Sequence, residues 1–466
     1  MRAGCGTRRR DAGAPRRRAA VWLVLAWWTA TGWAADWPRL GGPGASWVSA
    51  ETNLAHSWLA EGPPVLWTTD VAEGFAGAAV YERKVYVLDR AGNQQDVLRC
   101  LDLASGKELW RLAYDAPGSL PYNGSRNVPT VEAKYMFTVG PFGQLHCIDR
   151  ERHQIVWEHH LVEDFKEPGL DREESPKTRD QILARAQLPM WGLTQAPLLY
   201  RDMVIVAPQT RKIGLVAYEK STGRIRWTSG YIGRNWYSHV SPHLVSLCGV
   251  DQVIMMAQPS DPEKSPPDAP PAIISSIDPG TGRILWTNQT PAPDKIPVAE
   301  PVRVAPDRLF ITGGFGLGCL VLQVSHEADR WKTRISSHTR VVAGFIHSPI
   351  FYRDRIYVTS FKEHGGALTG LVCLRSDGEV VWQTGPKTQF ESGAFLIADG
   401  MAFVMHGKTG ELHLFELSDT GPKLLAKAKV LAAKGGNVWA PMALADGKLI
   451  VRDQHEMKCL DVAAHP

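Results

Sequence analysis

The sequence of 466 residues has no long apolar run beyond residue 35 and little net charge. A membrane-spanning helix needs about 20 consecutive apolar residues, so we expect no span after that point. Residues 1–34 hold seven Arg and one Asp, and setting them aside reduces the totals of 52 basic and 48 acidic residues to 45 and 47. Nucleic acids and acidic membrane surfaces select a strongly basic face. The near-neutral composition excludes both as expected partners.

Cysteine is also scarce, with seven residues of which none is adjacent to another in the chain. Four of them, Cys100, Cys147, Cys373 and Cys459, occupy the same place in a repeated segment, and Cys319 lies two residues earlier on the same face. Equivalent positions in successive repeats are core positions, where cysteine behaves as a small hydrophobe. The spacing therefore predicts buried thiols rather than disulfides.

The N-terminus combines a basic region with the apolar stretch AAVWLVLAWWTATGWAA at 19–35. Small residues at Gly32 and Ala34 suit cleavage after Ala34. We therefore predict a signal peptide at 1–34 and export to the periplasm or the extracellular space. The alternative is an uncleaved membrane anchor, for which the stretch is short.

A segment ending in tryptophan recurs along the chain. RCLDLASGKELWR (99–111) returns as HCIDRERHQIVWE (146–158), SSIDPGTGRILWT (275–287) and LVCLRSDGEVVWQ (371–383). Its period is in the mid-forties, apart from two insertions near 160–190 and 258–272. A repeated Trp fits packing between neighbouring sheets better than binding of one substrate. We assign this structural role to Trp67, Trp110, Trp157, Trp227, Trp286, Trp331 and Trp382.

Each period contains four short segments rich in β-branched and aromatic residues, separated by turn residues. This pattern predicts an all-β, eight-bladed β-propeller of four-stranded blades. The seventh blade has Ala426 where Trp would stand, and the eighth has only three strands before the chain ends. We expect VLWTT (65–69) to supply the missing strand and close the ring. The predicted organisation is a signal peptide (1–34), a lead-in segment (35–64) and a propeller (65–466).

The first strand of each blade lines a propeller axis, so residues just before it can project into the central channel. The candidates are Arg126, Asn127, Gln195, His239, His347, Glu391 and Trp439. Arg can pair with a carboxylate, Glu and Asn can ligate a hard cation, and Trp can stack on a ligand. A wet channel also needs polar lining without any ligand, and alternate positions on a strand point elsewhere.

An aromatic rim is expected on the same face, from Trp191, Trp236 and Tyr237. Such a rim suits protein docking as well as a ligand. We find no nucleophile or general-base arrangement tied to a local motif, and no histidine spacing that suits zinc. The sequence therefore predicts neither a catalytic residue nor a metal site.

The repeat "LDxxSGKxxW" resembles that of the pyrroloquinoline-quinone (PQQ) type eight-bladed propellers, and the chain looks most like the exported BamB-like members. WPRLGGPGASWVSAETNL (37–54) resembles their N-terminal "WPxxRGPxxxGxSxETxL" pattern, and 313–324 and 451–462 resemble internal and C-terminal signatures. The resemblance implies the propeller fold. It implies either a scaffold or an enzyme, because both occur in the superfamily.

The enzyme branch of that superfamily holds PQQ over Ca²⁺ in the channel and carries an adjacent Cys-Cys pair. This sequence has no such pair. We therefore expect a monomeric, non-catalytic scaffold that binds envelope or extracytoplasmic proteins, without a cofactor. Two alternatives stay open: a PQQ- and calcium-dependent dehydrogenase of alcohols or sugars, and a propeller that binds a small ligand or polysaccharide.

Overall fold

A computed structural model describes residues 36–165, 191–208, 213–232, 238–257, 273–289 and 297–465. The predicted signal peptide and the larger part of both insertions lie outside these ranges. The described residues form eight four-stranded antiparallel sheets, which confirms the all-β, eight-bladed propeller. Within these ranges no helix has the length and apolarity that crossing a membrane requires.

The first strand in the chain is β1 (Val65–Asp70). Blade 1 consists of β2 (Ala78–Tyr81), β3 (Lys84–Ala91), β4 (Gln95–Asp102) and β5 (Glu108–Asp115). Blade 2 consists of β6 (Thr130–Val131), β7 (Tyr135–Val139), β8 (Gln144–Asp149) and β9 (Gln154–His160). Blade 3 consists of β10 (Leu198–Tyr200), β11 (Met203–Val206), β12 (Val216–Glu219) and β13 (Ile225–Thr228). Blade 4 consists of β14 (His243–Leu247), β15 (Val250–Ala257), β16 (Ile273–Ile277) and β17 (Ile284–Gln289).

Blade 5 consists of β18 (Val302–Ala305), β19 (Arg308–Gly313), β20 (Gly318–Glu327) and β21 (Arg330–Thr339). Blade 6 consists of β22 (Ile350–Tyr352), β23 (Arg355–Ser360), β24 (Gly370–Leu374) and β25 (Val380–Gln383), with a short 3-10 helix at Lys362–His364. Blade 7 consists of β26 (Phe395–Ala398), β27 (Met401–Met405), β28 (Glu411–Glu416) and β29 (Lys423–Lys429). Blade 8 consists of β30 (Ala443–Ala445), β31 (Lys448–Arg452), β32 (Glu456–Asp461) and β1.

The ring closes as predicted, because β1 is the outer strand of blade 8. It pairs antiparallel with β32, and Trp67 lies opposite Cys459. The first strands of neighbouring blades contact each other, for example β2 with β6 and β30. These first strands therefore surround the axis, and the fourth strands form the outer circumference.

The hydrophobic core lies between the blades rather than in one central mass. Separate clusters of buried side chains fill the gaps between blades 1 and 2, 2 and 3, 3 and 4, 4 and 5, and 5 and 6. One larger cluster joins blades 6, 7, 8 and 1 with the lead-in segment. Cysteines contribute to these gaps as free thiols: Cys100, Cys147, Cys319, Cys373 and Cys459 are buried, and Cys248 is half-buried.

The tryptophans dock from one blade onto the hairpin of the next. Trp67 Nε1 donates to the Leu103 carbonyl at 2.9 Å, and Gly106 lies so close to the indole that a Cβ there would be 2.5 Å from it. Gly106 also has a φ of +68°, so only glycine fits this position without strain. The same donation to a carbonyl of the next blade occurs for Trp157 with Lys220, Trp227 with Pro279 and Trp382 with Ser418.

We call the place of the tryptophan in the fourth strand the docking position. A β-bulge lies beside it in every blade. The register between the third and fourth strands shifts by one residue there in all eight sheets. In blade 1 the extra residue is Leu109, directly before Trp110. A bulge twists a strand and interrupts the ladder, so it also makes the open outer edge a poor template for a further strand.

Trp331 differs from the other repeated tryptophans. In blade 5 the position beside the bulge is held by Ser337, opposite Val321. Trp331 lies six residues earlier, near the hairpin, where it stacks on His326 with ring centroids 4.0 Å apart. The extra length of β20 and β21 moves this tryptophan away from the next blade. In blade 7, Ala426 holds the docking position.

The lead-in segment ties together the blades on both sides of the closure. Trp37 exchanges two backbone hydrogen bonds of 2.8 Å with Val80 in blade 1, and Trp47 accepts one from Ile397 in blade 7 at 2.9 Å. The Glu51 carboxylate accepts from the backbone N–H groups of Asp446 and Gly447 in blade 8. The segment thus reinforces the seam where the two ends of the ring meet.

Candidate functional site

A cavity of about 540 Å³ lies where the segments before the first strands converge. All eight blades contribute to it, since each first strand begins beside the axis. The lead-in segment adds Leu40 and Trp47 to the lining. The cavity is therefore built by the closed ring as a whole and by a segment from outside the repeats.

Most of the predicted channel residues meet in this cavity. Its lining includes Arg126, Asn127, His239, His347, Glu391 and Trp439, together with Trp191 from the predicted rim. Gln195 is buried beside it, and the neighbouring Thr194 and Ala196 line the space instead. Trp236 and Tyr237 lie outside the described residues.

Several lining residues did not come from the sequence analysis. Glu300 lines the cavity and stands directly before Pro301, one of the repeated prolines. This position in the repeat would have been enough to predict it as a lining residue. Phe75 was missed because blade 1 has Gly77 in place of the repeated proline. Without the proline, the position of Phe75 two residues earlier does not stand out as equivalent to the candidate positions of the other blades. Tyr122 lies in an irregular loop and had no pattern to reveal it.

Arg126 acts as a structural brace rather than as a partner for a carboxylate. Its guanidinium donates to three backbone carbonyls, those of Gly124, Pro121 and Trp191. Burial, reinforced by the charge of Arg90, lowers the pKa of Arg126 to about 10. Because three of its five N–H groups donate to these carbonyls, Arg126 fixes the loops that carry Tyr122 and Trp191.

Two further predicted groups also have partners within the protein. Asn127 donates its amide to the Val139 carbonyl at 2.7 Å, while its buried Oδ1 has no hydrogen-bond partner in the part of the chain that the structure describes. The Glu391 carboxylate pairs with Lys408 Nζ at 2.9 Å. These contacts leave Asn127 one free acceptor, and they make the Glu391–Lys408 pair neutral overall.

The backbone that presents Glu391 is strained. Glu391 and Ser392 have φ values of 48° and 61°, a left-handed conformation that costs energy for non-glycine residues. His347 Nε2 donates to the Ser392 carbonyl at 3.0 Å, and Gly393 approaches Met405 so closely that a Cβ there would meet its carbonyl oxygen at 1.8 Å. Consecutive strained residues at a cavity wall are typical of a functional site.

Aromatic side chains form two groups in the cavity. Phe75, Tyr122 and Trp439 pack on one another, with Phe75 stacked on Trp439 at 5.5 Å. Phe315 and Phe345 form an edge-to-face pair at 5.1 Å. The first group comes from blades 8 and 1 and the loop into blade 2, and the second from blades 5 and 6. In a ring of eight blades these sectors lie across the axis from each other.

Glu300 is the buried acid of the site. It is 6% exposed, and its backbone N–H donates to the Ser348 hydroxyl at 3.0 Å. Burial raises the pKa of the Glu300 carboxyl to about 7, although hydrogen bonds from Ser241 and Ser348 and the charge of Arg39 act in the opposite direction. The carboxyl therefore carries a proton in a large fraction of molecules near neutral pH.

Buried histidines make the stability of the propeller sensitive to acid. Burial lowers the pKa values of five histidines, so their contribution is complete above the unfolded pKa of 6.5 and is lost as the pH falls toward 4. The values are about 4 for His146, His243, His347 and His413 and about 3 for His239. Glu300 and Asp96, with pKa values raised to about 7 and about 6, oppose this loss. We expect the free energy of unfolding to fall by about 3 kcal/mol per pH unit between pH 6.5 and 4.5, because five histidines outweigh two carboxyls.

Urea unfolding monitored by tryptophan fluorescence at stepwise pH checks this expectation. Glu300→Gln should make the fall steeper, because it removes one of the two opposing carboxyls. Stability that stays constant or rises between pH 6.5 and 5 would contradict the assignment of neutral, buried imidazoles.

The donor set does not suit a calcium-bound quinone. Among the described residues, no three His, Cys, Asp or Glu side chains come together as ligands for a metal ion. Of the two lining carboxyls, Glu300 is protonated in about half of the molecules near neutral pH, and Glu391 is paired with Lys408. The Arg126 guanidinium has no ion pair among the described residues, but each of its three nitrogens already donates to a carbonyl, which leaves two N–H groups for the carboxylates that PQQ carries. The residues present do not fit PQQ with Ca²⁺.

Comparison with a protein family gives a match over most of the chain. The family described as outer membrane protein assembly factor BamB matches residues 93–261 and 270–464. No protein with a curated description matches the sequence significantly.

Solved structures with the same fold include both enzymes and a BamB. Quinohemoprotein alcohol dehydrogenase from Comamonas testosteroni superposes with a TM-score of 0.62 at 12% identity, covering 93% of this chain and 81% of that one. BamB from Moraxella catarrhalis gives 0.52 at 11% identity, covering 85% and 99%. A europium-containing methanol dehydrogenase gives 0.58 at 13% identity, covering 90% and 89%. At such identities the likeness shows the fold alone.

Proposed function

Because the chain belongs to the family of the outer membrane protein assembly factor BamB, we propose that it is an exported, non-catalytic scaffold that docks envelope proteins. The mouth of the axial cavity is its docking face. This assignment places the protein in the periplasm or outside the cell, after cleavage of residues 1–34.

The observation that carries the proposal is the apolar character of this mouth. Tyr122 and Phe315 line the cavity and yet are 52% and 42% exposed, and Val341, in the loop that leads to Phe345, is 40% exposed. Large apolar side chains exposed together mark interaction sites more often than ordinary surface, and aromatic residues are enriched in protein interfaces. The outer edges are less suited to docking, because each carries a bulge.

The donor set of the cavity supports a scaffold over a dehydrogenase. A quinone enzyme needs the cofactor, a metal ion and a base that acts on the substrate. The histidine His347 donates to a backbone carbonyl, and Glu391 forms an ion pair. We therefore propose no oxidation or reduction of a substrate by this chain.

Site-specific photocrosslinking in the native envelope tests the docking face. A photoreactive amino acid at Val341 should crosslink to one partner, and the same probe at Leu424, an exposed residue of the outer strand β29, should not. The purified partner should then bind the propeller, with affinity reduced about tenfold or more by Val341→Asp. Crosslinks from Leu424 alone, or unchanged affinity of the Val341→Asp variant, would refute docking at the mouth.

A further inference from the structure

We propose that the axial cavity binds a neutral carbohydrate, a short oligosaccharide whose sugar ring lies between the two aromatic groups. The proposal concerns the interior of the cavity and does not depend on protein docking at its mouth. A protein partner on the mouth and a sugar below it are compatible.

The arrangement of side chains around the axis matches the surface of a sugar. A pyranose ring has two faces of C–H groups and an edge of hydroxyls. In the cavity, Trp439 with Phe75 on one side and Phe315 with Phe345 on the other offer aromatic faces to the C–H groups. Its volume of about 540 Å³ lies within the range of small-molecule sites.

Polar groups occupy the two sectors between the aromatic ones. Thr194 and His239 come from blades 3 and 4, and they are hydrogen-bonded to each other. Glu391, Ser392 and Lys408 come from blade 7, across the axis from blade 3. Hydroxyls, a carboxylate and an ammonium group can each donate to or accept from sugar hydroxyls, and these polar groups would therefore meet the hydroxyl edge of the ring.

The charge of the lining favours an uncharged ligand. Lys408 and Glu391 neutralise each other at 2.9 Å, and the Arg126 guanidinium is held by backbone carbonyls. A buried cation would lack a partner here, and a buried anion would meet an Arg126 guanidinium whose three nitrogens already donate to carbonyls, so burial of either charge is costly. Hydrogen-bonding capacity is nevertheless available, because Trp439 Nε1 and Asn127 Oδ1 have no hydrogen-bond partner among the described residues. A polar but uncharged ligand can use these hydrogen-bonding atoms without burying an unpaired charge.

The strained backbone at Glu391 and Ser392 adds an independent reason to place a ligand here. These two residues are held left-handed with their side chains at the cavity, as are the lining residues Trp47, Tyr122 and Phe315. Such strain persists only where the surrounding structure enforces it. Here it fixes the carboxylate and the hydroxyl in advance, which reduces the entropy lost on binding.

Isothermal titration calorimetry with the purified protein tests the proposal, after a neutral glycan array has selected the best probes among maltotriose, cellotriose and N,N′,N″-triacetylchitotriose. We expect saturable binding with a dissociation constant between about 1 μM and 1 mM. Trp439→Ala should weaken it at least about tenfold, and Tyr122→Ala, at a side chain half exposed to solvent, should weaken it several-fold. Trp331→Phe, remote from the cavity, is the matched control and should bind normally.

Three results would overturn the proposal. They are the absence of binding across the neutral glycans, equal binding by the wild type and both cavity variants, and tight binding of PQQ with Ca²⁺ that Trp439→Ala abolishes. Thermal unfolding of each variant shows whether it is folded, and Tyr122→Ala gives the decisive comparison if Trp439→Ala is unstable. None of these outcomes bears on crosslinking at Val341, so the two proposals fail separately.

Discussion

Trp67→Ala should lower the free energy of unfolding by about 3–5 kcal/mol, the usual cost of truncating a buried aromatic side chain to alanine. Trp67 is 7% exposed, donates its indole N–H to Leu103 and packs on Gly106. It also belongs to β1, the one strand that joins the start of the ring to its end. Its loss therefore opens a cavity at the closure, where hydrogen bonds between β1 and β32, rather than a continuous chain, complete blade 8.

Trp331→Ala is the matched control, because it removes the same side chain from a repeat that does not use it for docking. Trp331 is half-buried and stacks on His326 near a hairpin, an interaction worth about 1 kcal/mol. Urea unfolding of both variants, with fluorescence and circular dichroism as probes, gives the comparison. Equal losses in the two variants would show that the docking position has no special role.

Breaking the buried ion pair between Arg90 and Asp96 should cost about 3–5 kcal/mol. The two side chains are 2% and 0% exposed and lie 2.7 Å apart. Arg90 also donates to the carbonyls of Ala116 and Gly118 at 2.8 Å, and so holds the loop between blades 1 and 2. Asp96→Ala leaves the guanidinium buried without a counter-charge, and two carbonyls replace only part of the lost interaction.

The double variant Arg90→Met with Asp96→Leu should lose less stability than Asp96→Ala, because it leaves no buried charge. Arg83→Ala serves as the control on the surface. Its guanidinium pairs with Asp446 at 2.6 Å but is 58% exposed, and exposed pairs contribute at most about 1 kcal/mol. Additive losses in the Arg90 and Asp96 variants, without coupling between them, would contradict the assigned role of the pair.

The sequence predicted the fold closely where the information is local. A few neighbouring residues are enough to recognise turn glycines such as Gly106, the alternation of side chains within each strand and the tryptophan of each repeat. The missing strand of blade 8 was also evident, because an open ring with three strands at one end and one spare strand at the other has a single simple closure. Trp331 shows the limit of this approach, since longer strands in blade 5 displaced the tryptophan without changing the spacing enough to reveal it.

The site was less predictable, because its residues come together only when eight sheets converge. Glu391 was expected to line the channel, with a carboxylate able to ligate a cation, and the structure pairs it with Lys408, seventeen positions further along the chain. Arg126 was expected to be available for a carboxylate, and it is held by carbonyls of loops with no repeat pattern. Glu300 acquires its raised pKa only through burial against other blades.

By itself, the sequence determined the repeat, the number of blades, the closing strand and most of the positions that face the axis. All of these follow from local periodicity and turn chemistry. Only the tertiary structure decided which of those side chains are free to meet a ligand, and that the lead-in segment supplies Leu40 and Trp47 to the cavity. The physical reason is that hydrogen-bond partners, charge neutralisation and burial at the axis depend on contacts between distant parts of the chain, which no local pattern encodes.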